Sequence, residues 1–281
     1  MVRQTTKKNA FKLVIVVALL EEAKPFIKQF KLQKWETSKL KTYQNDSLLL
    51  VISGMGSNAI TLAVGYAAAL ASSCHRLFWL NLGTAGHQDY QIGTVVLPIE
   101  VRDTVSDLVF YPTPIIPGDF KRYKLLSLKT PSQKYLQDTC FDMEAYHFCA
   151  AASRFSIQDH IQVVKIISDN EEQPVSKLEK STLKKAIALG AEAACRIIEA
   201  FLDFARAEVK HTELSVPLLN TSKLHFTESQ RIKLSRLTSQ MLLLDENFDV
   251  LREIEQHRTS ASFLSSLETQ VRLCQSRIIN D

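Results

Sequence analysis

The sequence predicts an α/β fold: a three-layer sandwich with a central mixed sheet, plus a C-terminal helical extension. Three observations predict it. Short runs rich in Val, Ile and Leu alternate with stretches of helical spacing. Of the eight glycines, six lie between residues 54 and 93, several at the ends of those runs, and none follows Gly190. The last third of the chain carries apolar residues at alternating spacings of three and four, which strands do not show.

In order along the chain, residues 1–10 read as a disordered arm that holds Arg3, Lys7 and Lys8. Residues 11–207 form the α/β domain. Its strands are expected at Lys12–Leu19, Leu48–Ser53, Leu77–Leu82, Thr94–Ile99, Lys124–Leu128 and Gln162–Ile167, uninterrupted apolar runs of the kind that are covered on both faces. Helices are expected at Glu21–Phe30, Asn58–Ala71 and Glu144–Phe155. A long helix over Ser176–Ala207 turns Leu178, Leu183, Ile187, Ala191, Ala194 and Ile198 to one side, fit to cover the sheet. Residues 208–281 form the extension. An irregular stretch, His211–His225, gives way to a helix start at Thr227, with Gln230 placed for a capping box. Leu234, Leu237, Met241, Leu244, Phe248 and Leu251, then Leu264, Leu267, Val271, Cys274 and Ile278, predict a hairpin of about two helices.

Composition excludes several classes of function. A content of 46% hydrophobic and 23% charged residues is that of a globular protein, and a net charge of +4, partly on the arm, gives no nucleic-acid footprint. The five cysteines, Cys74, Cys140, Cys149, Cys195 and Cys274, contain no CxxC pair, so neither a disulfide framework nor a zinc ribbon is expected and a reducing cytoplasmic setting fits best. Ser47–His75 holds no Asp, Glu, Lys or Arg and is the one candidate membrane span, but Ser53-Gly54-Met55-Gly56-Ser57-Asn58 divides it into a strand and an Ala-rich helix. No membrane or nucleic-acid partner is expected.

Five motifs stand where strands give way to helices, the edge at which open α/β sheets bind ligands. Glu21-Glu22 follows the first strand, either as a functional acid or as a pair satisfying a helix dipole. The turn Ser53-Gly54-Met55-Gly56 can aim backbone N–H groups at a polar ligand, or be only a tight turn; it has neither the third glycine of a dinucleotide fingerprint nor a P-loop lysine. Asn81-Leu82-Gly83-Thr84-Ala85-Gly86 repeats the device with a hydroxyl, and two such turns at neighbouring strand ends suggest one pocket floor. At Met143-Glu144 a carboxylate can accept from vicinal sugar hydroxyls. Glu144 with His147 also spells half of a di-iron motif, which needs a second copy and further Glu ligands, so no metal is expected. Ser168-Asp169 follows the last strand, as a proton donor if desolvated or as a helix N-cap.

Taken together and in this order, the five motifs resemble those of the methylthioadenosine/S-adenosylhomocysteine nucleosidases and their relatives in the nucleoside phosphorylase superfamily, over roughly Lys12 to Ala205. The resemblance implies a phosphorylase-like sandwich that cleaves an N-glycosidic bond without a cofactor and assembles as a homodimer or higher homo-oligomer. It makes Glu22 the water-activating base, Asp169 the acid that protonates the base, and Glu144 with Met143 the ribose grip. It sets Thr84, Ala85 and Gly86 beside the attacking water, with Ser53, Gly54 and Gly56 in the turn and Lys165 and Ser168 flanking the acid. Three departures stand out: Lys165 replaces the family's arginine, no arginine occupies the phosphate positions, and Leu128-Lys129-Thr130-Pro131-Ser132 replaces a longer loop whose aromatic residue packs on adenine. The expected activity is therefore hydrolysis of a purine nucleoside or 5′-substituted adenosine. A phosphate-dependent phosphorylase and a non-catalytic nucleoside-binding or scaffold protein are the alternatives.

Overall fold

A computed structural model describes residues 11–71, 77–106, 108–116, 118–132, 134–174, 179–213, 224–245 and 248–280. The chain divides into two compact units between Ala205 and Arg206.

The first unit is built on nine strands: β1 (Leu13–Val17), β2 (Gln33–Lys34), β3 (Thr42–Gln44), β4 (Leu48–Ile52), β5 (Phe78–Gly86), β6 (Val95–Asp103), β7 (Lys121–Ser127), β8 (Thr139–Asp142) and β9 (Ile161–Asp169). Their order in the sheet is β2-β3-β4-β1-β5-β8-β7-β6-β9, with β9 returning to pair with β5. The sheet is mixed: β1 is parallel to β4 and β5, and β5 is parallel to β9, while β3 meets β4, and β6 meets β9, antiparallel. The helices are α1 (Leu20–Gln29), α2 (Ser57–Leu70), α3 (Ala145–Ala152) and α4 (Lys180–Glu213), the last of which runs on past the unit boundary.

Alternation along each strand divides the core in two. Val14, Val16, Leu49 and Val51 pack with Ile60 and Val64 of α2 and Phe148 of α3. Leu13, Ile15, Leu48 and Leu50 pack with Phe26 of α1 and with Ile198 and Phe201 of α4. Because both faces are covered, these strands need apolar residues at every position, which is why they read as uninterrupted runs. Each fully buried aliphatic or aromatic side chain contributes roughly 1.5–3 kcal/mol.

The structure departs from the sequence reading at several places. β2 and β3 were not expected, and β8 was expected only as the strand that Met143-Glu144 closes, without bounds; at two, three and four residues they are too short for periodicity to reveal. β5, β6 and β9 run further than expected, and β5 and β9 carry their strand geometry into the motif residues Gly86 and Asp169. α4 continues to Glu213, where an irregular stretch was expected from His211. Leu178 lies outside the described residues, as do the arm and Cys74, whereas Leu183, Ile187, Ala194 and Ile198 are buried as their spacing predicts. The supposed membrane span divides into β4 and α2, and among the described residues no helix is long and apolar enough to cross a membrane.

The second unit holds α5 (Glu228–Leu244), α6 (Val250–Glu255) and α7 (Ser260–Asn280) around Phe226, Leu234, Leu237, Met241, Ile254, Phe263, Leu264, Leu267 and Val271. The capping box is formed: the Gln230 N–H donates to Thr227 Oγ1 at 3.3 Å, and the Thr227 N–H donates to Gln230 Oε1 at 2.9 Å. Two helices were expected where three stand among the described residues. Asp245 turns extended (φ −148°, ψ 98°) and ends α5, so Phe248 falls in the connection and Leu251 is half exposed on α6.

Candidate active site

β5 lies at the centre of the site, flanked by β1 and β9. It is held to β1 by Asn81, whose buried side-chain amide donates to the Val16 carbonyl at 3.2 Å. β5 and β9 keep register from Trp79↔Ile161 to Ala85↔Ile167, then slip so that Gly86 meets Asp169. Ser168 is the extra residue of this bulge, and a bulge re-aims the side chain that follows it. Asp169 is thereby turned against Gly86: a Cβ at residue 86 would stand 2.4 Å from Asp169 Oδ2. Only glycine allows this approach.

A cavity of about 190 Å³ opens at these strand ends. Its walls include Glu22, Thr84, Ala85, Gly86, Met143, Glu144, Ser168 and Asp169, which the motifs had singled out, together with Met55, Leu128, Pro131, Ser132 and Tyr135. Residues from six separate stretches of sequence therefore face one space.

At one end of the cavity stands Glu22, on the first turn of α1. Its Oε2 accepts from the backbone N–H groups of Ala18 (3.1 Å) and Leu19 (2.9 Å); its Oε1 accepts from the Thr84 N–H and the Thr84 hydroxyl, both at 3.0 Å. Four donors satisfy the four acceptor positions of a carboxylate. Burial nevertheless pushes Glu22 above its ordinary range, against the opposing pull of the Leu19 hydrogen bond, the Lys165 charge and Thr84.

Lys165 lies behind this end, 1% exposed, with its Nζ 2.7 Å from Asp142 Oδ2. Burial works against its charge, but Asp142, Glu144 and Glu22 more than offset that, and its pKa is raised. A Cβ at residue 83 would stand 3.2 Å from this Nζ and 3.4 Å from Glu22 Oε1, so Gly83 gives the pair its room. Asp142 has further partners: Ser127 Oγ donates to its Oδ1 at 2.5 Å, and the N–H groups of Glu144 and Ala145 donate to its Oδ2 at 3.2 and 2.8 Å. It thus fixes the start of α3 and, with it, Glu144. Glu144 Oε1 accepts from the Gly56 N–H at 2.7 Å; burial raises Glu144, with the Lys165 charge opposing.

The other end lies three residues along β5, about 10 Å at strand rise. Asp169 Oδ1 accepts from the Ser168 hydroxyl at 2.6 Å, and Oδ2 accepts from the Tyr135 hydroxyl at 2.7 Å. Asp169 and Tyr135 are both buried.

Lys165 was expected among the substrate-binding residues, yet it does not line the cavity; it sits beneath it and neutralises the carboxylates that do. Ser53, Gly54 and Gly56 do not line it either. The turn keeps positive φ at Gly54 (86°) and Gly56 (91°), and its Gly56 N–H serves the protein's own Glu144 in place of a ligand. Sequence reasoning missed Asp142 and Tyr135. Asp142 directly precedes the Met-Glu pair at a strand end, a position that could have flagged it, whereas no local pattern marks Tyr135, three residues beyond the loop compared above.

No protein-family model matches the chain, and no curated protein matches it in sequence. Solved structures do match in shape. A mutant methylthioadenosine/S-adenosylhomocysteine nucleosidase from Helicobacter pylori, with 5′-methylthioadenosine in its active site, superposes with a TM-score of 0.56 at 13% identity, covering 69% of this chain and 98% of that one. The corresponding nucleosidase of Chlamydia trachomatis bound to methylthioadenosine gives 0.52 at 21% identity, over 68% and 99%. Futalosine hydrolase of Helicobacter pylori gives 0.55 at 15% identity, over 69% and 98%. The mixed α/β fold of this chain is thus the one that these nucleosidases and futalosine hydrolase share.

Proposed function

We infer that the protein is a nucleosidase that hydrolyses the N-glycosidic bond of a purine nucleoside or 5′-substituted adenosine. The observation that carries this reading is that three buried carboxylates, Glu22, Glu144 and Asp169, face one cavity with Thr84 and Ser168 beside them. The neighbours in shape, named as nucleosidases and a hydrolase, support it.

Glycosidic cleavage builds positive charge on the sugar and negative charge on the departing base. Asp169 delivers a proton to the base and makes it a better leaving group, a step worth roughly 10²–10⁴ in rate. Glu144 accepts from the ribose hydroxyls and favours the cationic sugar. Glu22 takes the proton of the attacking water, and its raised pKa makes it a stronger base than a surface carboxylate. All four of its acceptor positions are filled at rest, so one donor has to yield. The Thr84 hydroxyl is the one that can rotate away, since the other three donors are backbone N–H groups. Lys165 keeps the carboxylates supplied with a counter-charge from below the floor.

The architecture that goes with this reading is a three-layer sandwich, with α1 and α4 on one face of the sheet and α2 and α3 on the other, and the C-terminal helices as an extension. A homo-oligomer, as the resemblance implies, in a cytoplasmic setting, as the cysteine usage suggests, completes it.

The test is release of free base from methylthioadenosine, S-adenosylhomocysteine, futalosine and simple purine nucleosides, with and without phosphate. Phosphate-independent release is expected, falling about 10²–10⁴-fold in Asp169→Asn and in Glu22→Gln. Release only with phosphate would make the protein a phosphorylase. The saturated carboxylate of Glu22 favours a second reading, a nucleoside-binding protein without chemistry, and binding of the panel with no release would establish that instead.

A further inference from the structure

We propose that Tyr135 is a specificity-determining residue whose ring holds the base position, so that a ligand enters only by displacing its hydroxyl from Asp169. The proposal rests on the nucleosidase reading for the identity of the ligand, and on three observations for the rest.

First, both oxygens of Asp169 are engaged. Ser168 holds Oδ1 at 2.6 Å and Tyr135 holds Oδ2 at 2.7 Å. Each oxygen keeps a second acceptor position, but a base that approaches Oδ2 over Gly86 meets the Tyr135 ring, which stands on the same side. Ser168 is the neighbouring residue on β9, buried within the sheet, whereas Tyr135 comes from the connection between β7 and β8. Tyr135 is the partner that can leave.

Second, the Tyr135 ring lies over Gly86: a Cβ there would stand 2.9 Å from Tyr135 Cε1. With no side chain on Gly86, a flat ring packs against the backbone and puts its polar edge on Asp169. A purine has the same requirements, a planar body and a hydrogen-bonding edge, so the space that fits the phenol is the space that fits the base.

Third, the cavity left beside Tyr135 measures about 190 Å³. Ligand pockets ordinarily run from roughly 300 Å³ upward. Withdrawal of the tyrosyl side chain supplies the missing room at the Asp169 end.

The hydroxyl therefore sets a threshold. A ligand whose base offers Asp169 a hydrogen bond recovers what is lost when Tyr135 leaves, and one that cannot do so leaves a buried carboxylate short of a partner. Tyr135 is assigned no part in the chemical step, since its work is finished once the base is seated.

The experiment compares wild type with Tyr135→Phe, which keeps the ring and removes the hydroxyl, and with Tyr135→Ala, which removes both. Calorimetric affinity for free adenine and hypoxanthine is measured beside the steady-state kinetics of the nucleoside that wild type cleaves best. Both variants are expected to bind the free base more tightly and to show a lower KM, by about tenfold, the scale of one buried hydrogen bond, with kcat held within about twofold. Turnover by wild type with a lowered kcat and unchanged KM in Tyr135→Phe would overturn the proposal and put the hydroxyl in the chemistry, leaving the nucleosidase reading intact. Turnover with both parameters unchanged would also overturn it alone. Tighter binding of the free base with no turnover by any of the three proteins would support the displacement and remove the nucleosidase reading. Absence of both binding and turnover would remove both.

Discussion

The two ends of the cavity hold their carboxylates in opposite ways. Around Glu22 the protein has spent backbone N–H groups, a lysine and a second buried acid, so that charge is balanced by charge: Lys165 against Asp142, with Glu144 and Glu22 close enough to feel it. Around Asp169 the side-chain partners are two hydroxyls, those of Ser168 and Tyr135. One chemical group thereby has two different surroundings, which the proposed reading assigns to a base at one end and a proton donor at the other. β5 serves both ends through glycines three residues apart, Gly83 beside the lysine cluster and Gly86 beside Asp169.

The largest effect is expected at the charged end. Lys165→Met leaves Asp142, Glu22 and Glu144 buried without their counter-charge, and breaking a buried pair from one side costs about 3–5 kcal/mol. The sign of its pH dependence follows from the two raised carboxylates. A carboxylate whose pKa is raised on folding is most stabilising when protonated, so the deficit of Lys165→Met shrinks as pH falls from neutrality through the raised values of Glu22 and Glu144 and is largest above them. Urea unfolding at several pH values reads this directly. A deficit that did not vary with pH would mean that Lys165 acts by filling space and not by charge.

The two glycines sharpen the comparison. Gly86→Ala places a methyl group 2.4 Å from Asp169 Oδ2 and 2.9 Å from the Tyr135 ring, so the carboxylate has to swing away. A displacement of that size at the proton donor costs on the order of 100-fold in kcat/KM. The short Asp169 side chain can rotate, so the cost in stability is small by comparison. Gly83→Ala meets Lys165 Nζ at 3.2 Å, and that atom is clamped by Asp142. Here the expected loss is in stability, about 1–3 kcal/mol for an overpacked site, with a smaller loss in rate. Paired kinetics and melting curves on the two variants would break the comparison if both lost chiefly activity or both lost chiefly stability.

Much of this arrangement was legible in the residues. Glu22, Thr84 and Asp169 could be placed because each follows an apolar run, and the ends of such runs converge at one edge of the sheet; Glu144 was marked by the helix start that it opens. The roles of Lys165 and of the Ser53–Gly56 turn could not be read in the same way. Whether a strand residue points into a cavity or beneath it depends on pairing register, and the slip at Ala85/Gly86 that settles this for β9 leaves no trace in composition. Tyr135 was illegible for a different reason: it lies in a connection, where neither period applies, and it reaches Asp169 across 34 residues of chain. β8 was given no bounds because four residues, Thr-Cys-Phe-Asp, carry too few apolar positions to show alternation.

The smallest and most diagnostic effect concerns Thr84, the only side chain among the donors to Glu22. Glu22 has to be ionised to accept a proton from water, so the acid limb of kcat/KM against pH is expected above the ordinary carboxylate range, because burial raises this group. The Thr84 hydroxyl favours the charged form, as any donor to a carboxylate does. Thr84→Val keeps the shape and the backbone N–H but removes that donor, and the limb is expected to move to still higher pH. The rate on the plateau is expected to fall less than tenfold, since only one hydrogen bond is lost. A limb that stayed in place would show that some group other than Glu22 governs it. A limb that moved down would show that the hydroxyl holds Glu22 back, and that its release, which the attacking water requires, is the slower part of activating the base.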